Sequence, residues 1–188
     1  VLCRVDAQRR EKKRKVKMRK VKMFRLSRRC HSTKVSTVVM TQYHTEEGHS
    51  ARCEMDSHAD TCVVGSNFRL IELTGDTADV YPYNEKYEAI TDVPIVWAAT
   101  AWTNPETGET VILDCFQALW YGCSLQHSLL NPNQMRHCGK MGCDDPTDPY
   151  RTFGIELDGN EFMLPFQMQG TTVYFESRVP TDDELQEC

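Results

Sequence analysis

Asp56 ends a short apolar stretch and is followed at once by a hydroxyl residue, Ser57, in the run EMDSHADTCVVG over residues 54–65. Met55 precedes the acid, Val63 and Val64 close the run, and a second acid, Asp60, comes four positions on. A carboxylate presented this way does its acid–base work in company. Two such groups about 3 Å apart share one proton, because both cannot ionise at that distance. One of the pair then takes a proton from water while the other gives one to the carbonyl under attack. A chain with a single such loop builds the pair by placing two copies about a two-fold axis. The competing reading of Asp56 is local: an Asx turn at a strand end, in which the carboxylate fixes its own backbone and nothing else.

Other constellations carry less. GDTADV over residues 75–80 imitates the loop, with Asp76 before Thr77, but no apolar strand leads into it and Gly75 marks a turn. His137, Cys138 and Cys143, with His127 nearby, lack the two close ligand pairs of a structural zinc site. Cys30, His31, His44, His49 and Cys53 miss such spacing too, so the metal expectation is none. No local motif supports a Ser/His/Asp or Cys/His nucleophile.

The elements that must position the loop read as β. KVSTVVMTQ (34–42) and TCVVG (61–65) are short and rich in β-branched residues. Two longer runs, 92–103 and 110–122, flank NPETGE, a Pro/Gly turn, and predict a hairpin. FGIEL and EFMLPF around Asp158–Gly159 predict a second, and MQGTTVYFESRVP a final strand. One short helix is expected near Pro132–His137: Asn131 can cap it, Pro132 fits its first position and Gly139 its end.

Charge divides the 188 residues unevenly. Fifteen of the 22 Lys and Arg fall in residues 1–35 against only Asp6 and Glu11, while the remainder is strongly acidic. Residues 1–34 are expected to be a basic, disordered arm or linker, with RNA or DNA as the partner its clustered cations would suit. No apolar h-region follows the first charges and no run reaches membrane-spanning length, so no membrane partner is expected. The nine Cys are an odd number and are read as reduced thiols of an intracellular protein, cytoplasmic or nuclear. Val at position 1 suggests a piece of a longer product.

The motif MDSHADTCVV resembles the apolar-Asp-Ser/Thr-Gly-Ala loop of retroviral and retrotransposon aspartic proteases. Downstream, LWYGCSLQHSLLNPNQMRHCG is similar to the strand, loop and helix that close the protease domain of copia-type retrotransposon polyproteins. The resemblance spans roughly Val35 to Gly139, strongest over Met55–Val64 and Ser128–Gly139, and the element order agrees. It implies a mostly β, retropepsin-like aspartic protease fold over 35–139, with one short helix and the disordered basic arm before it. Residues 140–188 resemble the β-rich connecting segment that leads to the integrase.

By that match Asp56 is the catalytic acid. Ser57 is the hydroxyl that ties the two loops across the dimer, Ala59 the small residue of the tight turn, and Asp60 a contact to substrate backbone. Two positions depart from the pattern: His58 and Asn131 stand where the family has Gly. A non-Gly residue at positive φ costs about 1–2 kcal/mol. The flap that covers substrate would fall near Tyr81–Pro94, a stretch without Gly that leaves it unassigned.

The implied activity is an aspartic endopeptidase, active as a homodimer on a polyprotein or peptide substrate, with no cofactor and with a virus-like particle as a further location. Two rivals stand beside it: a decayed or co-opted copy acting as a binding module, and a nucleic-acid tether working through the arm.

Overall fold

Short β-branched runs and two long apolar ones leave strands dominant in this computed structural model, which describes residues 22–26, 46–82, 84, 86–157 and 162–186. The chain is mostly β. In order come β1 (Lys22–Arg25), β2 (Ser50–Met55), β3 (Cys62–Gly65), β4 (Arg69–Val80), β5 (Ile90–Thr103) and β6 (Thr110–Gly122). Then follow β7 (Ser128–Leu130), α1 (Pro132–His137), β8 (Met141–Cys143), β9 (Gly154–Glu156), β10 (Met163–Pro165), β11 (Gln167–Gln169), β12 (Thr172–Arg178) and α2 (Asp182–Gln186).

The main sheet runs β1-β6-β3-β7-β2-β12-β5-β4, with β11 on β12 and a further β5–β6 pairing. That last pairing turns the path back on itself, so β6, β3, β7, β2, β12 and β5 form a closed ring. Closure leaves few raw edges and gives the inward faces one shared core. Phe68, Phe175, Leu113, Leu130 and Val64 are fully buried there. Each such side chain contributes on the order of 1.5–3 kcal/mol. On the other face of β5, Ala99 and Ala101 with Ile112 pack against Leu185 of α2 and Ile71. Burial on both faces explains why β5 reads as an unbroken apolar run.

Polar atoms inside the ring are paired. Asn67 donates from Nδ2 to Ser177 Oγ at 2.8 Å and accepts at Oδ1 from the Ser128 hydroxyl at 2.5 Å. Gly65 N–H donates to Ser128 Oγ at 2.8 Å, and the Thr100 hydroxyl lies 2.8 Å from both Ser177 Oγ and the Asn67 carbonyl. This network joins β3, β5, β7 and β12 at the centre of the ring.

The hairpin expected at NPETGE is present, β5 against β6 antiparallel. Asn104 shapes its turn, Oδ1 accepting from the backbone of Glu106 and Thr107, while Gly108 supplies φ +68°. β9 and β10 also pair antiparallel, joined by β8 in a separate three-stranded sheet; the Asp158–Gly159 turn lies outside the described residues. The α1 expectation holds: Asn131 caps it through Oδ1, accepting from Asn133 N–H at 2.7 Å and Gln134 N–H at 3.1 Å.

Four expectations need correction. There are two short helices among the described residues, not one: Thr181 and Glu184 form a capping box that starts α2. Lys22–Leu26, inside the stretch expected to be a disordered arm, add β1 in parallel to β6 and bury Leu26 completely. The rest of residues 1–34, and the strand expected at 34–42, lie outside the described residues. The boundary drawn at Gly139 does not divide the sheet, because β12 pairs with both β2 and β5. Finally, Gly75 makes no turn: with φ +85° it sits in a bulge within β4, where the register shifts between Leu73 and Thr77.

Candidate functional site

The loop of residues 56–61 joins β2 to β3, yet those two strands are not neighbours. β7 lies between them, parallel to β2 and antiparallel to β3, with Val63 opposite Leu129. Leu130 at the end of β7 therefore reaches the start of the loop, and Asp56 N–H donates to its carbonyl at 3.0 Å. Three residues on, Ala59 C=O accepts from Asn131 Nδ2. Gln134 then takes the loop exit: its Oε1 accepts from Cys62 N–H at 2.7 Å and from the Thr61 hydroxyl at 3.2 Å. Segment 130–134 thus clamps the loop at its start, middle and end.

Asp56 is half-buried, while Ser57, His58 and Asp60 are exposed. One Asp56 oxygen, Oδ1, accepts from His58 N–H at 2.9 Å, an Asx turn that leaves the second oxygen to other uses. Beside the loop opens a cleft of about 500 Å³. His58, Ala59, Asp60 and Thr61 form one wall and Ala78 to Tyr81 of the β4–β5 hairpin the other, with Ile95 and Gln117 to Leu119 completing it. That volume lies within the range of roughly 300–1,000 Å³ typical of ligand pockets. Of the five residues singled out in sequence, His58, Ala59 and Asp60 line the cleft; Asp56 and Ser57 stand just outside its lining.

The two buried thiols near the loop are held protonated. Cys62, at the loop exit, is held well above the ordinary thiol range by its hydrogen bond with Cys115 and by burial. Burial likewise pushes Cys53 up to about 12, against the opposing hydrogen bonds of Ser177 and Asn67. Both stay protonated thiols near neutrality and are poor nucleophiles. Cys53, Cys62 and Cys143 carry free thiols. Among the described residues no group of three or more His, Cys, Asp or Glu is placed to hold a metal ion. None of the described helices is long and apolar enough to cross a membrane.

Sequence reasoning missed Thr61, Gln117 and Gln134, which meet beside the cleft, and the hairpin wall at 78–81. Residues 75–80, set aside as an imitation of the loop, supply Ala78, Asp79 and Val80 to that wall. For Gln134 no local signal existed, since its partners come from β3 and β6. No family model, curated protein or solved structure matches the chain.

Proposed function

We propose that this chain is the aspartic endopeptidase region of a copia-type retrotransposon polyprotein, a retropepsin-like domain that acts as a homodimer on peptide substrate. The observation that carries the reading is the Asp56 loop itself. It is clamped between two separated strands by segment 130–134 and opens beside a cleft walled by a long hairpin. On this reading the β4–β5 hairpin would serve as the flap, for which the sequence offered no Gly-containing stretch near Tyr81–Pro94.

The chemistry follows from charge. Two Asp56 carboxylates, one from each copy, share a single proton because like charges this close cannot both ionise. The ionised one draws a proton from water as it attacks the scissile carbonyl; the protonated one donates to the carbonyl oxygen. His58 N–H on Oδ1 orients each carboxylate, Ser57 bridges the two loops, and Asp60 in the cleft meets substrate backbone. No cofactor enters the scheme. RNA or DNA remains the proposed partner of the basic residues 1–34, and the proposed setting is intracellular, cytoplasmic or nuclear.

A second reading, a binding module without the chemistry, draws on one fact: the cleft is lined by the neighbours of Asp56 rather than by Asp56. One experiment separates the two. An extended polyprotein segment should cleave itself, be blocked by a pepstatin-like inhibitor, and lose at least a thousandfold of its rate on Asp56→Asn, an isosteric change that cannot share the proton. Cleavage unchanged in that variant would move the chemistry elsewhere; a parent that binds peptide but never cuts it would establish the module.

A further inference from the structure

Gln134 makes more contacts to the cleft than a helix residue needs for its own stability. Its side chain bridges three elements: Oε1 accepts from Thr61 Oγ1 in the loop and Cys62 N–H in β3, while Nε2 donates to Gln117 C=O of β6 at 3.0 Å. Thr61 and Gln117 both line the cleft. The Thr61 hydroxyl is also 3.2 Å from that same Gln117 carbonyl, so its one proton is shared between the Gln134 oxygen and that carbonyl, and the three residues cluster beside the cleft. The amide is mounted rigidly. Pro132 and Met135 bury on either side of it, and Asn131 fixes the first turn while donating to Ala59 C=O.

From this geometry we infer that Gln134 is a positioning residue: it sets the spacing between the loop of Asp56 and the β6 wall, and so the shape of the cleft a peptide enters. The inference rests on the endopeptidase reading and names how that site is held in register. A side chain that only stabilised α1 would have no reason to use both ends of its amide on other elements. The donor end is the telling one, because an oxygen there would face the Gln117 carbonyl.

Two variants of the full chain test it. Gln134→Leu removes every bond, whereas Gln134→Glu keeps the acceptor end and places a carboxylate against Gln117 C=O unless it is protonated. Kinetics are measured per active site, titrated with a pepstatin-like inhibitor, so that unfolded protein does not count. Misplacing a reacting group by about an ångström costs up to about a hundredfold. Gln134→Leu should therefore raise KM and lower kcat, with kcat/KM down about ten- to a hundredfold. Gln134→Glu should match it near neutrality and recover toward the parent as pH falls and the carboxyl gains its proton.

Titrated variants with the parent's kcat and KM at every pH would overturn the inference and leave the endopeptidase reading intact. Where the parent itself cleaves nothing, that reading has failed, and amide exchange of the loop decides the inference alone. Faster exchange at Thr61 and Cys62 in the Gln134→Leu variant supports it; unchanged exchange sinks it.

Discussion

Asn67 offers the sharpest test of what holds the ring closed. It is fully buried, donates to Ser177 Oγ and to Cys53 Sγ at 3.2 Å, and accepts the Ser128 hydroxyl. Asn67→Leu keeps the volume roughly but leaves the Ser128 proton without an acceptor. Ser177 keeps the Thr100 hydroxyl, so it is the milder loss. An orphaned buried group costs about 1–3 kcal/mol, and each of the two other lost bonds about 0.5–1.5 more, which totals about 2–6 kcal/mol. For a chain of this size the melting temperature should fall roughly 4–24 °C. Urea unfolding followed by the fluorescence of buried Trp102 and Trp120 reads the loss directly. A double variant adding Ser128→Ala should recover little, because losing the stranded hydroxyl also takes away the acceptor of Gly65 N–H. A loss below about 1 kcal/mol in the single variant would refute the reasoning.

Gly65→Ala should cost about 3 kcal/mol or more, since a Cβ there would run into the Leu125 backbone carbonyl, which cannot give as a side chain can. Calorimetry showing an unchanged transition would contradict it. The Arg178 guanidinium, bidentate on Glu184 at 2.5 and 2.8 Å, holds that carboxyl below its usual 4.5, and Thr181 N–H adds to the effect. A depressed acid stabilises in full above its unfolded value and loses that contribution as pH falls through its folded one. Limited proteolysis at α2 should therefore rise only below about pH 4.5 in the parent, and Glu184→Gln should remove the pH dependence. His58→Gly removes a ring from the cleft lining beside the proposed dyad, so cleavage should speed up; an unchanged rate would leave His58 without a steric role there.

The parts of the fold legible in the sequence were those written locally. Asn131, Pro132 and Gly139 punctuate α1, and Asn104 with Gly108 turns the β5–β6 hairpin; each acts through its own φ or its own side chain on the adjacent backbone. Thr181 and Glu184 carried an equally local signal, Thr-Asp-Asp-Glu, that went unread. Other features have no local cause. β1 forms among lysines and arginines because parallel pairing to β6 uses backbone, not side chains. β12 belongs to the ring through partners distant in sequence, in β2 more than a hundred residues away and in β5. The same holds for the site: the type and order of Asp56, Ser57 and Ala59 could be read directly, whereas the cleft wall at 78–81 and the Gln134 cluster depend on where β4 and α1 dock.

The threading of β7 between β2 and β3 bears on timing during synthesis. A ribosome adds about 5–20 residues per second, so roughly 6–24 s separate the making of Asp56 from that of Arg178, the last residue of β12. For most of that interval the residues that clamp the loop, Leu130 to Gln134, do not yet exist, and β2 has neither of its neighbours. The Asp56 carboxylate is then an ordinary solvated acid on an unformed turn. Under the proposed endopeptidase function a nascent chain would be inert toward itself, and cutting would begin only once translation has passed β12.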